Sequence, residues 1–175
     1  MKTHDLTVFI LTGGLSSRMG RDKARLRLGG RTLPGWIRER VAPLGVPVRN
    51  IRSDIVPRCG PLGGIYTGLA RCRTARAIFL SCDMPWVDAR LLRRLLRAAG
   101  EAPAACFRRG GEIEPFPLLI RREMFDDVEG RIRRRELALH RLPLRQIVLT
   151  RAEHRRWLLN VNTPAEFTVL KSHPR

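Results

Sequence analysis

Leu6-Thr7-Val8-Phe9-Ile10-Leu11 runs straight into Thr12-Gly13-Gly14-Leu15-Ser16-Ser17-Arg18-Met19-Gly20-Arg21-Asp22-Lys23, and this junction decides the fold. The first part is a short apolar run, the mark of a buried strand. The second carries glycines, serines, an arginine and a lysine in close succession. Glycine lets backbone N–H groups come close to a ligand. Successive inward N–H groups form an anion-binding hollow, to which Arg18 and Lys23 add full positive charge. Open α/β sheets bind nucleotides beyond the carboxyl ends of their strands, so position and composition together mark a phosphate-binding loop. It is neither of two common kinds. A P-loop needs G-x-x-x-x-G-K-[ST], whereas five residues separate Gly14 from Gly20 and Arg21 follows. The G-x-G-x-x-G fingerprint is absent, because Gly13 and Gly14 are adjacent. The plain alternative is a Gly/Ser surface turn ahead of a basic helix start.

Length and composition narrow the class. A chain of 175 residues suits one domain, residues 1–175, with a substantial core and no disulfide staples. At 43% hydrophobic it is globular, and no apolar run approaches the ~18 residues of a membrane span. Met1-Lys2-Thr3-His4-Asp5 precedes an apolar run that leads into the glycine loop instead of a cleavage site, which argues against a signal peptide. Cys59, Cys72, Cys82 and Cys106 show neither C-x-x-C pairing nor matching histidine spacing, so no zinc site or disulfide framework is expected. The expected compartment is the cytoplasm. The net charge is +18, carried almost wholly by arginine, since the only lysines are Lys2, Lys23 and Lys171. Such an excess attracts polyanions. The arginines are dispersed, however, and no basic–aromatic interleaving of the single-strand-binding kind occurs. An anionic small substrate or an acidic partner protein is expected, with no membrane and no specific nucleic acid.

Apolar runs alternate with amphipathic stretches, the α/β pattern. Strands are expected at Leu6–Leu11, Val46–Ile51, Arg76–Cys82, Ala104–Phe107, Pro115–Ile120, Leu144–Leu149 and Trp157–Val161. Helices are expected over Leu33–Leu44, after a Cys59–Gly64 turn, over Val87–Ala99, from Arg122, from Arg133, and over Pro164–Leu170. Arg131 to Arg135 reads as a solvated helix face.

Asp83 ends the Arg76–Cys82 run, at the rim where such folds place ligands. A carboxylate there can hold Mg2+, which takes oxygen ligands alongside substrate phosphates. It can equally be a turn or capping aspartate before Pro85. Asp54 can accept hydrogen bonds from a base or sugar, or be a solvated loop carboxylate. Gly60-Pro61-Leu62-Gly63-Gly64 brings backbone close to a ligand or packs a helix tightly. Asn160-Val161-Asn162-Thr163-Pro164 places two amides at a strand end, with Thr163 as a cap for the last helix. His4, His140, His154 and His173 lie in polar or terminal settings, and no Ser-His-Asp or Cys-His nucleophile system is apparent.

In this order, L-T-G-G-L-S-S-R-M-G-R-D-K, G-P-L-G-G-I, S-C-D-M-P and N-V-N-T-P resemble the molybdenum cofactor guanylyltransferases, from about Val8 to Phe167. The resemblance implies a three-layer Rossmann-like nucleotidyltransferase fold with a mostly parallel central sheet. It implies transfer of GMP from GTP to the molybdopterin cofactor with release of pyrophosphate. Carried over, Leu11, Thr12 and Gly13 contact guanosine, with Gly14 in the same loop, and Lys23 contacts the phosphates. Asp54 binds nucleotide, and Asp83 binds nucleotide and Mg2+. The segment with Asn160 and Asn162 lies toward the pterin, as does Glu114-Pro115-Phe116. Lys23, Arg18 and Asp83 are the expected catalytic groups, and cofactor-insertion proteins or molybdoenzymes the implied partners. One departure stands out: between Trp36 and Asp54 the chain is shorter than the family pattern, as if a strand and a helix were missing. The competing readings are a CTP-using cytidylyltransferase and a noncatalytic protein that binds or delivers the cofactor.

Overall fold

A computed structural model describes residues 5–13, 27–28, 30–161, 163 and 166. Its centre is a six-stranded sheet in the order β4-β1-β5-β7-β6-β8. These strands are β1 (Leu6–Leu11), β4 (Val48–Ile51), β5 (Arg76–Ser81), β6 (Ala104–Arg109), β7 (Glu112–Arg121) and β8 (Leu144–Val148). A small separate hairpin joins β2 (Arg27–Leu28) to β3 (Arg31–Thr32). β7 alone runs against its neighbours; the pairs β4–β1, β1–β5 and β6–β8 are parallel.

Burial explains why β1 and β5 read as continuous apolar runs. Leu6 through Ile10 are all buried, as are Ala77 through Leu80, so successive side chains find cover on both faces of the sheet. That is the signature of a parallel strand between two helical layers. Helix α2 (Gly60–Ala70) lies on β1, β4 and β5 and packs against α4 (Phe125–Arg133). Helix α3 (Ala89–Ala99) covers β6, β7 and β8 and packs against α1 (Leu33–Val41). Phe9 and Phe79 stack at 5.3 Å between ring centres where α2 crosses them.

Local chemistry sets the helix starts. Thr32 caps α1 by accepting from Gly35 N at 3.2 Å, and Pro34 sits in the first turn. Asp88 caps α3 through Leu91 N at 2.9 Å, and Leu91, Leu92, Leu95 and Leu96 bury one face. Thr150 and Glu153 form a reciprocal capping box on α5 (Arg151–Trp157).

Three expectations are corrected. Trp157–Val161 is not a strand: the capping box starts a helix that takes in Trp157, and the chain after it is irregular. Gly60–Gly64 is not a turn before a helix but the first part of α2 itself, because Pro61 fits the first turn, where no N–H partner is needed. Arg133 ends α4 rather than opening another helix, with Arg135 in the left-handed region at φ 60°. The shortened stretch after α1 does keep a strand, β4, paired with β1. The expected closing helix, Pro164–Leu170, lies outside the described residues.

Candidate active site

Strand register brings the candidate residues that the structure describes to one rim. Leu11 pairs with Ile51 of β4 on one side and with Ser81 of β5 on the other, so three parallel strands end at the same level. Thr12-Gly13, Asp54 and Asp83 each follow one of those ends by a few residues. The loop after β1 is tied to the end of β4: Thr12 N and Gly13 N donate to Ile51 O at 2.9 and 3.0 Å, and Thr12 Oγ1 donates to the same oxygen at 2.9 Å. Only glycine fits the approach that follows, since a Cβ on Gly13 would stand 2.2 Å from Arg52 O.

Asp54 lies against the start of α2. A Cβ on Gly63 would be 3.0 Å from its Oδ2, and one on Gly64 would be 3.5 Å from its Oδ1. The paired glycines of G-P-L-G-G therefore make room for this carboxylate. Partial burial raises its pKa above the ordinary aspartate range. The N-terminal end of α2 also carries positive partial charge, which favours an anion beside it.

Asp83 is half-buried, and its Oδ1 accepts from Ser81 Oγ at 2.5 Å. Its backbone does something the sequence gives no sign of: Asp83 O accepts from Val161 N at 2.7 Å. That bond, with Val161 buried against Leu33 and Trp86, draws the Asn160 segment onto the same rim. Asn160 is exposed there. Phe79 faces Leu118 across β5 and β7, so Glu114 lies beyond the carboxyl end of β5, on the same side of the sheet. Gly14, Arg18, Lys23 and Asn162 lie outside the described residues.

One histidine has a more specific setting than its surroundings in sequence suggested. His154 Nε2 is 2.8 Å from Glu114 Oε1, with both side chains largely covered, and Arg109 Nε is 3.7 Å from the same oxygen. Only the antiparallel return of β7 puts a residue of α5 beside this glutamate, and no motif signals it. The same carboxylate, together with burial as the larger cause, pushes the Cys106 thiol up to about 11 and keeps it protonated. Three arginines of the Arg131–Arg135 run are ion-paired as well as solvated. Arg131 meets Asp127 at 2.8 Å, Arg133 meets Glu129 at 2.8 Å, and Arg134 meets Glu136 at 3.0 Å.

Among the described residues no group of three or more His, Cys, Asp or Glu side chains forms a metal cage. A single rim carboxylate suits a cation that shares its shell with phosphate oxygens and water, as Mg2+ does. No helix among the described residues is long and apolar enough to cross a membrane.

Comparison with known proteins bears on the family and the fold. The chain is 33% identical over 179 residues to the molybdenum cofactor guanylyltransferase of Pseudomonas paraeruginosa, covering 90% of each chain. Its fold matches the crystal structure of molybdopterin-guanine dinucleotide biosynthesis protein A from Archaeoglobus fulgidus, with TM-score 0.72, 20% identity and coverage of 94% and 96%. It also matches Rv0371c of Mycobacterium tuberculosis, solved as a complex with manganese, with TM-score 0.60, 18% identity and coverage of 97% and 100%. The profile of the MobA-like NTP transferase domain matches residues 8–150, and the chain belongs to that family of nucleotidyltransferases.

Proposed function

We propose that this nucleotidyltransferase moves GMP from GTP to the molybdopterin cofactor and releases pyrophosphate. The observation that carries the reading is the convergence of Thr12-Gly13, Asp54, Asp83 and the Asn160 segment on one rim, held by backbone bonds to Ile51 and Val161. The name of the Pseudomonas relative supplies the choice of substrates.

In this reaction a terminal phosphate oxygen of the pterin attacks the α-phosphorus of GTP. The bond from that phosphorus to the β-phosphate bridging oxygen breaks, and pyrophosphate leaves with the electron pair. Both reactants are anionic, so charge screening and alignment carry most of the catalysis. Thr12 and Gly13, with Leu11, hold the guanosine where the backbone of β1 ends, and Gly14 belongs to the same loop. Asp54 takes a hydrogen bond from the nucleoside. Asp83 is the residue that would hold Mg2+, with Ser81 fixing one of its oxygens. The bound ion would neutralise phosphate charge. Lys23 and Arg18, which follow β1 in sequence, brace the transferred phosphoryl group and the leaving pyrophosphate. The segment that carries Asn160 and Asn162 serves the pterin side. No protein nucleophile is needed, and the Cys106 thiol is held in its unreactive form.

The test is pyrophosphate release by purified protein with molybdopterin cofactor and Mg2+, with GTP and CTP in parallel. Release with GTP alone, lost in Lys23→Ala, is the expected result. Release with CTP alone would assign the chain to cytidylyl transfer, and binding of cofactor without release from either nucleotide would make it a carrier.

A further inference from the structure

The end of the molecule opposite the candidate site carries an arginine-lined cleft that the reaction does not use. Helix α2 begins at Gly60 beside Asp54 and ends at Ala70, about 16 Å away along its axis. Beyond Ala70 lies a cleft of about 570 Å³ bordered by Arg49, Arg71, Arg73 and Arg122. These arginines come from β4, the end of α2, the turn before β5 and the short helical turn after β7, so folding rather than a sequence cluster gathers them. All four are exposed, and among the described residues none has a carboxylate partner. That contrasts with Arg131, Arg133 and Arg134, whose charges are all met within the chain.

A second hollow of about 440 Å³ adjoins the first, sharing Ala70 and Arg122, and its floor is apolar, formed by Leu69 and Phe125. Among the described residues Glu123 is its one acidic residue, and the neighbouring Arg121 is taken up by Glu101. The surface is therefore cationic on one side and apolar on the other.

We propose that this cleft docks an acidic peptide segment of a partner protein, with carboxylates on the four arginines and one apolar side chain over Leu69 and Phe125. Two features favour that occupant. Guanidinium forks match carboxylates in pairs. A nucleic-acid backbone has no apolar group for the Leu69–Phe125 floor, and among the described residues no aromatic ring stands between the four arginines to stack a base.

The test uses fluorescence anisotropy at about 150 mM salt, where long-range charge effects are screened. The probe is a fluorescein-labelled peptide of alternating Asp and Glu around one central Leu. The full-length chain is compared with R71E/R122E, with the milder R71Q/R122Q, and with R97E/R151E, which changes net charge equally at exposed positions elsewhere. R71E/R122E is expected to weaken binding at least about tenfold and R71Q/R122Q by less, while R97E/R151E stays within about threefold. Replacing the peptide's Leu with Ser weakens binding to the parent chain, and pyrophosphate release from free substrates is unchanged in all three variants. Equal losses in R71E/R122E and R97E/R151E would overturn the proposal in favour of bulk charge. So would a single-stranded oligonucleotide, or pyrophosphate, whose binding falls more than the peptide's in R71E/R122E.

Discussion

Gly13→Ala should disable the candidate site through one added methyl group. The methyl carbon would meet Arg52 O at 2.2 Å, and ordinary contact begins near 3.4 Å, so the loop after β1 must retreat from the end of β4 by about 1.2 Å. Neither side can yield by rotating a side chain, because the clash is with backbone. A retreat of that size stretches the bonds from Thr12 N and Gly13 N to Ile51 O, now 2.9 and 3.0 Å, beyond useful length. Two such bonds are worth about 1–3 kcal/mol together, a fall in Tm of about 2–12 °C for a chain of this size. A misplacement of about 1 Å in a positioning loop costs about 100-fold in rate. The assays are thermal melting and pyrophosphate release with GTP and molybdopterin cofactor. Gly111→Ala is the matched control, since a Cβ there meets nothing within 4 Å, and it should change stability by no more than about 0.5 kcal/mol. If Gly13→Ala kept the parent's melting temperature and a rate within about threefold, the tight approach of β1 and β4 would not govern the site, and the reasoning would fail.

Gly68→Ala sets two effects against each other. The added carbon would sit 2.4 Å from Phe79 Cε1, in a ring wholly buried against Phe9, at an overpacking cost of about 1–3 kcal/mol. Better helix propensity returns about 1 kcal/mol, so a net loss is expected, and a melting temperature above the parent's would contradict it. Asp83→Asn keeps the shape beside Ser81 but removes the charge; turnover should fall about 100-fold or more with little change in melting, and near-native turnover at limiting Mg2+ would remove Asp83 from the metal role. EDTA should abolish pyrophosphate release and added Mg2+ restore it; turnover that survives chelation would exclude the ion from the reaction. Asp54 titrates above the ordinary aspartate range because burial disfavours its charge, so the folded chain holds this proton more tightly than the unfolded chain does. Its contribution to stability therefore falls as pH rises from the ordinary aspartate value through the raised one. Asp54→Asn should accordingly raise the melting temperature at neutral pH, with the gain shrinking on acidification and nucleotide binding weakened; a gain independent of pH would refute the burial cause.

The parallel core was legible residue by residue. Buried on both faces, β1 and β5 had to be unbroken apolar runs, and their periodicity could be read without a partner. Helix α3 was equally clear, since Asp88 and its four leucines state both its start and its buried face. Short elements were not. Trp157 reads as strand-like by its neighbours, yet the Thr150–Glu153 capping box a turn earlier decides it as helix. Pro61 and three nearby glycines look like a turn, yet Pro fits the first turn of a helix, and Gly63 and Gly64 pack closely against Asp54 and Leu11 as part of it.

Sequence alone determined which chemistry is available: the glycine-rich loop after the first strand, the carboxylates Asp54 and Asp83, the amides at Asn160 and Asn162, and a large arginine surplus. These are properties of residue type and local order, which short-range rules can read. Tertiary structure alone decided who meets whom. Strand register levels Leu11, Ile51 and Ser81, a backbone bond ties Val161 to Asp83, and the return of β7 sets Glu114 against His154. It also separated arginines whose charge is met inside the chain from those at the far end of α2 that meet no carboxylate among the described residues. Such pairings join residues up to tens of positions apart, and they depend on how sheet and helices pack, which no local pattern encodes.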